Sequence, residues 1–141
     1  MPIYKLKMKE IGKKIYIFDE IRKKYLILTP EEWVRQNFIQ YLNQEKKFPI
    51  GLIGVEKIVS YNFIKNRLDI IVYDQNGAPY LIVECKAPHV NISQETFYQI
   101  GKYNSQLKAK YLVITNGNKH YCCEMNYNNN EINFLKEIPE Y

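Results

Sequence analysis

Long apolar runs are missing from this chain. None approaches the about 20 residues that a helix needs to cross a bilayer, so no stretch reads as membrane-spanning. The first residues, Met-Pro-Ile-Tyr-Lys, lack the apolar core of a signal peptide, and the expected location is the cytoplasm. Cysteine is scarce. Cys122 and Cys123 are adjacent and Cys85 stands alone, an odd three that fits neither a disulfide framework nor a zinc-ligand spacing. His89 has no partner in the sequence to orient it as a proton donor. There is no Gly-xxxx-Gly-Lys-(Ser/Thr) loop and no internal repeat, which excludes a nucleotide-driven motor and a solenoid.

What is present is 141 residues of ordinary globular composition, enough for one domain with a genuine core. The net charge of +5 is unevenly placed. Lys5, Lys7, Lys9, Lys13, Lys14, Arg22, Lys23 and Lys24 face only Glu10, Asp19 and Glu20 in residues 1–24, and the remaining chain balances at zero. Such a strip suits a phosphate backbone or a solvated face.

The chain is organised around Arg67 to Lys86. Two β-type apolar runs, Leu68–Tyr73 and Tyr80–Cys85, flank Asn76-Gly77, the signature of a two-residue type I′ hairpin. In that register Tyr73 faces Tyr80, Ile71 faces Ile82 and Asp69 faces Glu84. Like charges in a cross-strand pair repel and call for a shared proton, a cation or a metal ion. Lys86, two residues after Glu84, leaves the same face, and Cys85 between them points away. Paired carboxylates are what Mg²⁺ takes as ligands while keeping several waters, and an ammonium beside it can orient such a water.

Asp69 followed fifteen residues later by Glu84-Cys85-Lys86 resembles the Asp…(Asp/Glu)-x-Lys signature of the PD-(D/E)xK nuclease superfamily, with Leu68 in place of its proline. Gln99-Ile-Gly-Lys-Tyr103 is similar to the Gln-xxx-Tyr motif of the RecB-like branch, and Thr29-Pro-Glu-Glu-Trp-Val-Arg35 to the first-helix acidic motif. Over Leu28 to Asn118 the chain resembles the N-terminal nuclease domain of type I restriction enzyme R subunits, in a short standalone form. The resemblance implies a restriction-endonuclease-like α/β (α+β) fold, a mixed central sheet flanked by helices with an αβββαβ core, here preceded by a β arm. It implies Mg²⁺, with Mn²⁺ as substitute, held by Asp69, Glu84 and the backbone carbonyl of Cys85. Lys86 would handle the water, Gln99 the outer shell, and an acid of the first helix would face the metal. Glu32 is preferred for that acid and Glu31 competes, although Glu32 also suits a capping box. Arg67 and Tyr103 would contact nucleic acid, and Arg67 suits pairing with Asp69 equally well. The expected partner is DNA, together with a homodimer partner or a separate DNA-delivering protein, and no membrane. The activity implied is DNA phosphodiester hydrolysis. The alternative is a non-cleaving module of the same fold that binds nucleic acid or a restriction or repair partner.

The flanking sequence divides 1–141 into a basic arm (1–28), a core (29–118) and a C-terminal strand and tail (119–141). Residues 3–8 and 14–18 alternate weakly on either side of Gly12, as a hairpin or as paired extended segments. Thr29, Pro30 and Glu32 open a helix that runs to about Asn43. Leu52–Phe63 reads as a strand and residues 65–67 as a polar link. Asn91 or Ser93 caps a second helix ending near Leu107, in which Gly101 would allow close packing. Tyr111–Thr115 is a buried strand suited to parallel pairing under that helix, and His120–Met125 is a further strand.

Overall fold

The computed structural model describes the backbone of residues 4–61 and 64–141, and the side chains of these except 57–61, 64–66, 102, 103, 105 and 106. Phe63 and the side chain of Tyr103 therefore lie outside the described residues.

Three strands, β1 (Met8–Ile11), β2 (Lys14–Asp19) and β3 (Lys24–Ile27), form a small antiparallel sheet. Gly12 turns the first hairpin with φ +63°. Helix α1 (Pro30–Gln44) follows, with Thr29 as its cap: Thr29 Oγ1 accepts the Glu32 amide at 3.0 Å, satisfying one of the helix's unpaired donors. The main sheet contains β4 (Ile53–Tyr61), β5 (Ile64–Tyr73), β6 (Pro79–Cys85), β7 (Tyr111–Thr115), β8 (His120–Asn126) and β9 (Glu131–Leu135), in that order. Helix α2 (Gln94–Leu107) crosses between β6 and β7, the one parallel pair among these strands. The expected αβββαβ order is present, extended by β8 and β9. Residues 65–67 belong to β5 rather than to a polar link, because they pair with Ser60, Val59 and Ile58.

The sheet is covered on both faces. Val34, Phe38, Ile39 and Leu42 of α1 are fully buried, and the packed core on this side includes Val55, Ile70, Val72, Leu81 and Val83. On the other face Ile100 of α2 packs in a core with Leu68, Ile71, Ile82, Leu112 and Ile114. Among the described residues Gly101 makes no close packing: a Cβ there would meet none of them within 4 Å. Gly117 does need to be glycine. It has φ +87°, and a Cβ would lie 3.2 Å from Val34 Cγ2 in α1. Gly117→Ala is expected to cost about 1–2 kcal/mol in urea unfolding; a cost near zero would show that neither the φ nor the contact matters.

The central hairpin keeps the expected register over Ile70–Val83, Ile71–Ile82 and Val72–Leu81. It then shifts, and Tyr73 pairs with Pro79 rather than Tyr80. The connection is not a type I′ turn, since only Gly77 has positive φ. Asp74 organises a longer loop instead, its Oδ1 accepting the amides of Asn76 and Ala78 at 2.9 Å each. An aspartate that closes its own turn removes the need for positive φ at Asn76.

Candidate functional site

The β5–β6 ladder ends at Ile70–Val83, one pair short of Asp69 and Glu84. Strict alternation also fails there. Leu68 and Ile70, two residues apart, belong to opposite cores. The chain is reoriented at Asp69, and its carboxylate enters the space between the two strands. Asp69 Oδ2 accepts the Cys85 amide at 2.7 Å, and Oδ1 accepts Arg35 Nη2 at 2.7 Å. The two carboxylates thus meet across the end of a ladder, not as a regular cross-strand pair.

A second irregularity lies beside it. Glu56 falls between Val55, paired with Ile70, and Lys57, paired with Leu68, which places it next to Asp69. Its φ is +50°, a conformation that costs a non-glycine residue roughly 1 kcal/mol or more. The surroundings hold it there: Arg35 Nη1 donates to Glu56 Oε1 at 3.0 Å, while Arg22 Nη1 and Arg67 Nη1 donate to Oε2 at 2.9 and 3.0 Å. Burial raises the Glu56 carboxyl, but the Arg67 hydrogen bond and the charges of Arg35 and Arg22 outweigh it and hold the group below its usual value.

Arg35 is the hub. Its side chain is 7% exposed and reaches Glu32 Oε2 at 2.7 Å as well as Glu56 and Asp69, with Glu31 Oε1 at 3.6 Å. Residues three and four apart on a helix share a face, so Glu31, Glu32 and Arg35 are brought together by α1 alone. Arg22 links this group to the small sheet. Arg22 Nε donates to the fully buried Asp19 at 2.6 Å, and Asp19 Oδ1 also accepts the amides of Ile21 and Arg22.

Glu84 occupies the other side of Asp69. Lys86 Nζ lies 3.5 Å from Glu84 Oε1. The Glu84 carboxyl is pushed up to about 7, first by burial and then by the Asp69 charge, with Lys86 pulling the other way. Glu31 is also raised, by burial and then by Asp69. Glu32 is raised by burial, and the charges acting on it are those of Arg35, Asp19 and Arg22. Glu31 thus feels the Asp69 charge and lies 3.6 Å from Arg35, whereas Glu32, preferred from sequence, lies against both Arg35 and Arg22. Among the described residues, six carboxylates (Asp19, Glu31, Glu32, Glu56, Asp69, Glu84) meet four cations (Arg22, Arg35, Arg67, Lys86). With every carboxyl ionised the excess is two negative charges, a state that the raised Glu84 carboxyl reaches fully only above neutral pH.

The family described as type I restriction enzyme R protein N terminus (HSDR_N) matches residues 30–139. The chain belongs to this family. The fragment structure of a putative HsdR subunit of a type I restriction enzyme from Vibrio vulnificus YJ016 shares the fold, with a TM-score of 0.57 and 18% identity over 80% of this chain. The present chain spans 24% of that chain's length. No curated protein matches.

In this R-protein N-terminal domain the other residues singled out from sequence are spread more widely. Arg67 pairs with Glu56. Gln99 is exposed on α2, one position from buried Ile100. No described contact joins Gln99 to the acids. His89 is exposed and lines an open cleft of about 590 Å³ with Arg22, Glu31, Glu32, Arg35 and Glu56. Sequence reasoning missed Arg22 and Arg35 as members of the group. A signal existed for Arg35, which lies three and four residues after two acids on a capped helix. None existed for Arg22, whose partner Glu56 is 34 positions away. Among the described residues no three His, Cys, Asp or Glu side chains form a ready metal cage, and no helix is long and apolar enough to cross a membrane.

Proposed function

We propose that this chain is a Mg²⁺-dependent nuclease domain of the PD-(D/E)xK type that hydrolyses DNA phosphodiester bonds, as part of cytoplasmic restriction or DNA processing. The observation that carries the reading is the group of acids gathered where the β5–β6 ladder ends, with a formal excess of two negative charges once Glu84 gives up its proton. One divalent cation cancels it. Asp69, Glu84 and the backbone carbonyl of Cys85 would hold the ion, a set of few protein ligands that suits Mg²⁺ and its retained waters better than an all-protein cage. When bound, the metal supplies polarisation of a phosphate oxygen and a water of lowered pKa.

The chain's own residues then have separable tasks. Arg35 and the Cys85 amide fix both Asp69 oxygens, so the carboxylate is oriented before any ligand arrives. Lys86, beside Glu84, orients the attacking water and offsets charge building on phosphorus. Glu31, half exposed and 3.6 Å from Arg35, would take the position of the helix acid. Gln99 stands ready on α2 to meet the nucleic acid. A homodimer or a separate DNA-delivering protein would bring the duplex to this single site.

Calorimetric titration of Mg²⁺ and Mn²⁺ into wild type and Asp69→Ala, with plasmid nicking on the same samples, tests the reading. Binding and nicking by wild type are expected, both lost in the variant. Metal binding and nicking retained by Asp69→Ala would overturn it. A second reading is favoured by the Arg35–Asp69 bond: if that bond is permanent, the guanidinium replaces the metal and the domain binds without cutting. Wild type would then show no metal heat.

A further inference from the structure

The small sheet β1–β3 has two unlike faces. One packs inward, where Ile17 and Asp19 are fully buried. The register aligns Lys9, Tyr16 and Ile27 on the other face, as it does Phe18 with Tyr25 and Ile11 with Lys14. Lys7 extends this row, its carbonyl accepting the Phe18 amide at 2.9 Å. The result is three half-buried rings set among four exposed lysines, Lys7, Lys9, Lys14 and Lys23. The cations lie over the rings: Lys9 Nζ is 4.0 Å from the Tyr25 centroid, and Lys7 Nζ is 5.2 Å from that of Phe18. Phe18 and Tyr25 meet edge to face at 5.1 Å. Glu10, the acid of β1, falls on the opposite face by alternation, and Glu20 meets Lys23 Nζ at 3.3 Å, an exposed pair that a phosphate can replace.

An open sheet face carrying rings between ammonium groups is what an unpaired strand needs: its bases stack on the rings and its phosphates meet the cations. A duplex keeps its base faces covered by its own stacking and offers the rings nothing. The face also leads somewhere. Ile27 lines the cleft that holds Glu31, Glu32, Arg35 and Glu56, and Arg22, in the β2–β3 turn, bonds to Glu56 within it.

We propose that the outer face of β1–β3 binds single-stranded DNA, with Tyr16, Phe18 and Tyr25 as stacking platforms and Lys7, Lys9, Lys14 and Lys23 on the phosphates, and that it feeds the strand into the acidic cleft. The choice of DNA rests on the nuclease reading, and the surface chemistry does not.

The test is fluorescence anisotropy of a labelled thymidine oligomer of about 16 nucleotides, with the full chain in EDTA so that cleavage plays no part. The single strand is expected to bind at least about tenfold tighter than a duplex of equal length. Its log K against log salt slope should lie near about −3, from four contacts at roughly 0.7 each. Tyr16→Ser with Tyr25→Ser should weaken binding about thirtyfold or more. Lys7→Gln with Lys9→Gln, both exposed and each losing only a weak cation–ring contact, should weaken it and reduce the slope by about 1.4. Equal or tighter duplex binding, or unchanged affinity in the lysine pair, overturns the proposal. Loss of binding with metal-dependent nicking intact removes this surface alone. Binding intact with no nicking by wild type removes the nuclease reading and leaves the surface.

Discussion

Arg35→Ala is expected to lower the unfolding free energy at pH 7 by about 3–5 kcal/mol, the cost of leaving buried charges without their partner. The loss is large because one guanidinium serves Glu32, Glu56 and Asp69 at 2.7–3.0 Å. Its own pKa is raised, with Asp69 and Glu32 outweighing a burial effect that would lower it. Acid should repair part of the damage. Glu31 and Glu32 both titrate above the usual carboxylate value, each chiefly through burial, so protons can replace the missing cation. Urea unfolding of wild type and variant at pH 7 and pH 5 measures this. The gap between them should narrow on acidification. A loss below about 1 kcal/mol, or one insensitive to pH, would mean that the cluster is screened by solvent and that Arg35 is not its hub.

Glu84→Gln should separate stability from function. An unfolded glutamate titrates near about 4.3, and the folded Glu84 near about 7, because of burial and the Asp69 charge. Between those values the folded protein holds a proton that the unfolded chain has released. The group's effect on stability is therefore absent near pH 4 and becomes increasingly unfavourable up to pH 7. At a side-chain exposure of 25%, the full effect is about 2–3 kcal/mol. Glu84→Gln should thus match wild type near pH 4.5 and exceed it by that amount at pH 8. Cleavage should fall about a hundredfold or more, since loss of even an outer partner of a metal ligand costs 10–100-fold. Wild type should also release protons on binding Mg²⁺ near pH 6.5, seen as a buffer-dependent calorimetric heat, and Glu84→Gln should not. A wild type whose metal heat is independent of buffer would contradict the raised Glu84 value.

Much of the scaffold was legible because it is local. Thr29, Pro30 and Glu32 announce the start of α1 within four residues. The hairpin register followed by arithmetic for three pairs. The unalternating run Tyr111–Thr115 signalled a strand buried on both faces. The site was legible in part. Asp69, Glu84 and Lys86 do converge, but for a reason that pattern reasoning does not supply. Alternation treats a strand as regular, and here the pleat changes sense at Asp69 and the ladder stops. The environments of Glu31 and Glu32 differ for a tertiary reason, since both reach Arg35 and Arg22, distant in sequence, also reaches Glu32. Nothing local in the sequence marks Glu56, because its three cations come from positions 22, 35 and 67.

The arrangement around Arg22 bears on where this domain can be cut. The family likeness begins at residue 30, which invites a shortened chain that starts with α1. Such a truncation removes Asp19 and Arg22 together, so the charge tally of the cluster does not change. The geometry does. Glu56 keeps two of its three cations, the cleft loses the wall that carries Leu26 and Ile27, and a residue in a costly backbone conformation loses part of what holds it there. A boundary drawn by likeness would look neutral on paper and run through the middle of the site.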